Sequence, residues 1–537
     1  MLEAAEDHRQ IQSPLAEDYF DTSHLKVDFK RRWVQGTFIT VLGQVARFII
    51  QTGSIIVLAR LLTPEDYGLV AMVTAITGFM MVFKDLGLST ATVQKAHTNH
   101  AQISTLFWIN VALSAVITVI SAALAPAIAW FYHEPRLTWI GLALSTSFLF
   151  VGLSIQHQAL LRRQMRFGAV VTRDIASMLV GVVLAILLAW GGAAYWAIVA
   201  MQVATAVSGT IMLWFVCKWR PGLPVHRSGA RSMVHFGLGV TGFQAVNYFA
   251  RNADNILLGR FFGSYVLGLY SRAYSLFMLP IAQIRAPLTA VALPALSRLQ
   301  NEPEKCAKYY YGFVSVLAFI TMPLMGFLFV CSENIIRLLL GERWLGANAI
   351  FKILAIAGFI QAAETTRGLI LLSSGRGKRY FTYGVLRSAF LVGCFAAGVP
   401  WGGCGVAAGF TIGDYLILFP SLWYCFRGTP LSIVGFLRAI AQPTIAGLIS
   451  TGAMYLTYRS FLLEKYDFVA IGVCLLVGLL SYLGAWAVIP GGPKTLREFS
   501  SYLLLVFRNK SGSRQDQSSE GGFSVMGDNN IDSAVRK

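Results

Sequence analysis

The sequence predicts an all-α, polytopic membrane protein of about fourteen transmembrane helices, arranged as two six-helix halves followed by two further spans. Three observations carry this prediction. Of 537 residues, 55% are hydrophobic and only 13% charged, and mean hydropathy is +0.60, a balance foreign to a soluble domain of this size. Apolar runs of about 20 residues, the length that crosses a hydrocarbon core, recur from about residue 34 to residue 489. Residues 44–69, QVARFIIQTGSIIVLARLLTPEDYGL, return 200 residues later as 244–269, QAVNYFARNADNILLGRFFGSYVLGL. The alternating ten-residue strands that a membrane β-barrel requires are missing from the sequence.

Taken in order, residues 1–33 predict a polar cytoplasmic tail without a cleavable signal peptide: seven of the 26 acidic residues fall between Glu3 and Asp28. Lys26, Lys30, Arg31 and Arg32 then sit against the first apolar run, as at a cytoplasmic start. The spans fall at roughly 34–59, 67–90, 102–130, 137–158, 169–190, 193–217, 232–259, 264–291, 308–331, 346–372, 379–399, 402–426, 433–458 and 467–489. Basic residues keep to alternate loops: Arg162, Arg163 and Arg166; Lys218, Arg220, Arg227 and Arg231; Arg298, Lys305 and Lys308; Arg376, Lys378 and Arg379. The loops between them are short and nearly uncharged, such as Gly191-Gly192 and residues 400–403. Arg337 and Arg343 break the pattern, but Glu333 and Glu342 accompany them. The alternation implies an even number of spans with both termini cytoplasmic.

The 200-residue offset makes residues 34–217 one lobe and 232–426 the other, joined by a cytoplasmic linker at 218–231, KWRPGLPVHRSGAR. Residues 427–489 hold the two spans outside the repeat. Residues 490–537 predict a cytoplasmic end, with an amphipathic segment at 496–507 on the membrane surface and a disordered remainder. The net charge of +18 lies largely in short loops between spans. It suits anionic lipid headgroups and argues against nucleic acid as a partner. Cys217, Cys306, Cys331, Cys394, Cys404, Cys425 and Cys474 show no metal-ligand or redox spacing and read as apolar packing residues.

Within the first copy of the repeat, Thr40, Gln44, Arg47, Gln51 and Ser54 recur at steps of three and four, on one helix face. Gln244, Asn247, Arg251 and Asp254 keep the same register in the second. Two membrane helices with polar stripes imply a polar space between related halves, the plan of a transporter built from parallel repeats. Arginine near the bilayer centre costs several kcal/mol on insertion scales and turns to the bundle interior or to water. For Arg47 and Arg251 that leaves a cavity wall or an interhelical pair. Arg272 and Arg285, in the eighth span, can also snorkel to an interface. Arg60 and Arg260 close their helices and read as structural.

The phrase VLARLLTPEDYGLVAMV (57–73), followed by KDLGLSTATVQK (84–95), resembles the polysaccharide-transporter, or Wzx-type, flippases. Their superfamily also holds multidrug and toxin extruders and lipid II flippases. The resemblance covers roughly residues 34–490, is most specific at the turn after the first helix, and is strongest to the exopolysaccharide and colanic-acid-type branch. It implies a V-shaped pair of six-helix lobes around a central cavity in the bacterial inner membrane. The implied activity moves undecaprenyl-pyrophosphate-linked oligosaccharide from the inner to the outer leaflet by alternating access, for exopolysaccharide or lipopolysaccharide synthesis. The implied partners are that lipid-linked substrate, membrane lipids, and a polysaccharide polymerase and chain-length regulator; no cofactor is implied.

On that reading Arg47, Arg251, Arg272 and Arg285 are candidates for the pyrophosphate, because a planar guanidinium holds two oxygens at once and keeps its charge. Gln44, Gln51, Gln244 and Asn247 can bond sugar hydroxyls, or other helices equally well. Asp254, Glu364 and Asp414 are candidates for ion coupling. Asp254 follows Arg251 by three positions and Glu364 precedes Arg367 by three, so a local pair is open to each. The alternative is a proton or cation site whose occupancy swaps arginine between carboxylate and phosphate. The sequence contains no P-loop and no catalytic constellation, so neither direct use of ATP nor an enzyme is expected. A drug or cation extruder would favour acidic and aromatic cavity residues. A lipid II flippase shares the pyrophosphate and stays open as a reading.

Overall fold

The computed structural model describes residue 20 and residues 29–85, 87–95, 98–225, 231–461, 467–493 and 495. These form helices joined by short turns, with no strand among them. Most of the expected N-terminal tail and the amphipathic segment expected at 496–507 lie outside the described residues.

Helix α1 (Phe29–Leu61) runs into the repeated motif. Thr63 then caps α2 (Pro64–Thr77): its hydroxyl accepts from the Asp66 N–H, and the Asp66 carboxylate accepts from the Thr63 N–H at 2.9 Å. Pro64 fills the first helical position, where no N–H is missed. The TPED phrase is therefore a helix start. The second span is not the single helix expected at 67–90: α2, α3 (Met80–Phe83) and α4 (Leu88–Gln94) form two arms bent by 43°. Helices α5 (His100–Tyr132), α6 (Arg136–Arg163), α7 (Phe167–Trp190) and α8 (Trp196–Val216) complete a first group.

Helix α9 (Arg231–Arg298) is 68 residues long, far beyond one crossing. It doubles back at Gly263, whose φ of 77° and ψ of −174° leave the helical region. The Tyr270 hydroxyl donates to Asp254 Oδ2 at 2.8 Å, a contact between residues that a straight helix would hold about 24 Å apart. Next come α10 (Pro303–Val330), the short α11 (Ser332–Leu339), a 3₁₀ turn (Glu342–Ala347), α12 (Asn348–Glu364) and α13 (Arg367–Ser373). Helices α14 (Gly377–Gly398) and α15 (Gly402–Phe426) fold against each other at Gly402, φ 66°, and α16 (Ile433–Ser460) and α17 (Asp467–Val488) end the bundle. Eleven stretches among the described residues are long and apolar enough to cross a membrane, twelve with the bent second span. Two of these, of 48 and 50 residues, hold the reversals at Gly263 and Gly402.

The cores show where the two groups of helices meet. Near the α1–α2 turn, one continuous core joins Leu58, Val73, Tyr132 and Ile140 of the first group to Leu258, Tyr270, Trp344 and Phe410 of the second. At the opposite end, where α8 stops and α9 begins, each group has its own core. Leu106, Leu160, Leu213 and Trp219 pack within the first, and Leu296, Tyr310, Leu371 and Leu422 within the second. One core thus spans both groups at one end, the closed one; at the other the described core residues form two clusters, while α4 still packs on α9. Trp130, Trp139, Trp190 and Trp401 are exposed around the closed end, as an interfacial aromatic belt.

The two copies of the repeat make the closed end. A Cβ on Gly68 would lie 1.8 Å from the Ser264 carbonyl oxygen, and one on Gly268 1.8 Å from that of Pro64. The 200-residue offset exchanges these two contacts, so the copies meet about a local two-fold axis and only glycine fits. The residues expected as a plain loop at 332–345 are folded into this seal. Buried Trp344 stands edge-on to Tyr67 at 5.3 Å and donates to the Ala59 carbonyl at 2.8 Å, and Arg60 donates to Leu338 O at 2.7 Å. Helices α16 and α17 pack on the outside of α10. Tyr482 donates to Phe319 O and Ser450 to Gly478 O, each at 2.8 Å.

Candidate functional site

Beneath the seal, α1, α2, α7, α8 and the second arm of α9 enclose a cavity of about 660 Å³. Its polar lining comes from Gln51, Ser54, Gln202, Arg272 and Gln283, and Met178, Met201 and Met278 supply adaptable apolar walls. Arg272 holds its guanidinium 4.4 Å from the Tyr67 ring centroid, and its Nε is buried without a partner. The cavity roof and the seal thus share Leu58 and Tyr67. Gln44 Nε2 stands 3.5 Å from Gln283 Oε1, across from one group to the other. Gln244 and Asn247 lie on the first arm of α9, but their side chains are outside what the structure describes.

A second cavity, of about 170 Å³, opens between α9, α12, α13 and α14. Arg251, Arg285, Arg387 and Glu364 face it, with Tyr380 and Tyr383 on its wall. Its charges fall into two sets. Glu364, Arg367 and Asp414 are fully buried. Glu364 is paired with Arg367 one turn on and lies 3.4 Å from Arg387, which bonds Asp414 Oδ1 at 2.7 Å. Arg367 Nε also donates to the Tyr383 hydroxyl at 2.8 Å. Two arginines and two carboxylates sum to zero in this network. Arg251 and Arg285 stand outside it, with no ion pair among the described residues.

The local pair open to Asp254 and Arg251 does not form. Asp254, 3% exposed, instead accepts from the Tyr270 hydroxyl and the Asn255 N–H, both at 2.8 Å. Arg47 lines neither cavity: it bonds Asp174 Oδ2 on α7 at 2.6 Å, and Arg173 bonds the other oxygen at 2.8 Å. Arg173 reaches on to Gly209 O of α8 at 2.9 Å, much as Arg387 of α14 reaches Asp414 of α15. Sequence reasoning missed Asp174, Arg173 and Arg387. Each stands inside an apolar span, and that isolation was the available signal.

A family model described as "Polysaccharide biosynthesis protein" matches residues 57–349, over half of the chain. The chain is similar to the teichuronic acid biosynthesis protein TuaB of Bacillus subtilis, 28% identical over 443 residues, 81% of this chain and 91% of that protein. It is also similar to the succinoglycan biosynthesis transport protein ExoT of Rhizobium meliloti, 24% identical over 429 residues, 80% of this chain and 86% of that protein. Among solved structures, the lipid II flippase MurJ in an inward closed conformation superposes with a TM-score of 0.68 at 14% identity, over 85% of this chain and 98% of that one. At that identity the likeness is one of fold.

Proposed function

Because the chain belongs to the family of polysaccharide biosynthesis proteins, we propose that it is a flippase carrying polyprenyl-pyrophosphate-linked oligosaccharide from the inner to the outer leaflet of the bacterial inner membrane by alternating access. The observation that carries the reading is the pair Arg251 and Arg285, two guanidiniums without a carboxylate partner on one cavity wall. A pyrophosphate supplies oxygens for both forks and cannot cross hydrocarbon unaided. Arg272 of the larger cavity offers a further charge, and Gln51, Gln202 and Gln283 beside it offer bonds to sugar hydroxyls. A drug-cation extruder is disfavoured by the same arginines, and the reading is one of transport rather than catalysis.

The end opposite the seal is assigned to the cytoplasm, since Arg162, Arg163, Arg166, Lys218 and Lys378 gather there. Both chain termini then lie on that side, and a polymerase and chain-length regulator would take the delivered unit on the other. Residues 34–217 and 232–426 act as the two rocking lobes. Asp254 is assigned the coupling ion, because its partners are neutral, whereas Glu364 and Asp414 are each held by arginine.

The test is a deletion strain complemented with wild type, Arg251→Ala, Arg285→Ala or Arg47→Ala. Surface polysaccharide and the leaflet position of lipid-linked units in sealed inverted vesicles are both measured. The expected result is loss of polymer with units accumulating on the cytoplasmic side in the deletion, and the same defect in the Arg251 and Arg285 variants. Normal polymer in the deletion, with altered sensitivity to cationic dyes, overturns the reading.

A further inference from the structure

Beside the cationic cavity, α14 and α15 leave a groove of about 510 Å³ on the membrane-facing surface. On α14 it is formed by Tyr383, Leu386, Arg387 and Phe390, at the spacing of one helix face, and on α15 by Leu416, Ile417, Pro420, Ser421, Trp423 and Tyr424. Of its polar side chains, Ser421, Arg387 and Tyr383 are already engaged, and Trp423 and Tyr424 are the other two. Ser421 donates to Leu418 O at 2.8 Å, Arg387 is held by Asp414, and the Tyr383 hydroxyl accepts from Arg367. The groove is therefore dry hydrocarbon and aromatic surface, with Leu386 and Leu416 more than half exposed.

Tyr383 and Arg387 line both this groove and the cavity of Arg251 and Arg285. The two stand side by side at one depth, on adjacent faces of α14. An apolar channel bordered by a cationic chamber fits a molecule with an anionic head and a long hydrocarbon chain.

From this continuity we infer that the α14–α15 groove seats the polyprenyl tail of the substrate, which passes Tyr383 and Arg387 where it joins the pyrophosphate. The inference rests on the flippase reading and adds to it a lateral path for the chain. Lipid tails are as apolar as the groove, so selectivity comes from shape and from tethering to the bound head, not from the hydrophobic effect. A branched, stiff chain held in a groove gains over a free one by being ordered in advance.

The experiment uses the full chain in nanodiscs of phosphatidylethanolamine and phosphatidylglycerol. Binding of undecaprenyl pyrophosphate, geranyl pyrophosphate and inorganic pyrophosphate is compared for wild type, Leu416→Trp, Leu386→Trp and, as a control on a lipid-facing surface elsewhere, Leu480→Trp. Wild type and the Leu480 variant are expected to prefer the long chain over geranyl by about fivefold. Either groove variant should shrink that preference to within about twofold and leave geranyl pyrophosphate binding unchanged. Retention of the full preference in both groove variants overturns the tail path while leaving the anion site standing. Failure of wild type to bind any of the three probes overturns the flippase reading, and the tail path with it.

Discussion

At the scale of single residues, the intramembrane arginines divide by whether a carboxylate holds them. Arg251 and Arg285 have none, so replacing either orphans no partner. Arg251→Ala and Arg285→Ala are expected to cut export at least about tenfold with an unchanged melting temperature in detergent, since a wet, unpaired charge adds little to packing. Arg367 behaves oppositely. Removing it strands Glu364 in the core, and Arg367→Ala should destabilise by about 3–5 kcal/mol. The double variant Glu364→Leu/Arg367→Leu should recover most of that loss in the same melting assay. The sequence made the Glu364–Arg367 pair legible, because residues three apart on a helix are neighbours. The same spacing misled at Arg251 and Asp254, where the hairpin at Gly263 brings Tyr270 to the carboxylate first. Arg47 and Asp174 are 127 residues apart, and no local rule reaches that far.

At the scale of elements, the closed end depends on two glycines that admit no side chain. Gly68→Ala or Gly268→Ala would drive a methyl into a backbone carbonyl of the opposing copy, and overpacking of this kind costs about 1–3 kcal/mol. The penalty falls only on the closed state. Hydrogen exchange at residues 64–72 and 264–272 is expected to quicken about tenfold or more in either variant, because the seal opens more often. Unchanged exchange would mean that the contact does not hold the two copies together. The elements themselves were largely readable from the apolar run lengths and the short uncharged turns between them, although the TPED cap starts α2 three residues before the expected span. The bend in the second span was not, and neither was the folding of residues 332–347 into the seal. Both are set by what packs across from them, and Trp344 becomes a seal residue only because Ala59 O awaits a donor.

At the scale of the whole molecule, the proposed alternating access parts the shared core at the closed end and draws the opposite ends of the two groups together. Asp254 lies beside that core, one turn from the unpaired Arg251, and its bond to Tyr270 ties the two arms of α9. Asp254→Asn is expected to abolish the response of vesicle transport to an imposed proton or sodium gradient while exchange of substrate at equilibrium continues. A response that persists in full would exclude Asp254 as the coupling site. Helices α16 and α17, which touch neither the 660 Å³ nor the 170 Å³ cavity, have a bearing on how that motion is shared. They ride on α10, so the second half carries more membrane-embedded helix through viscous lipid than the first. Two bodies on a common hinge divide a rotation in inverse proportion to their friction. On the proposed rocking motion, the first half swings further in the frame of the bilayer, and the half bearing Arg251 and Arg285 serves as the keel.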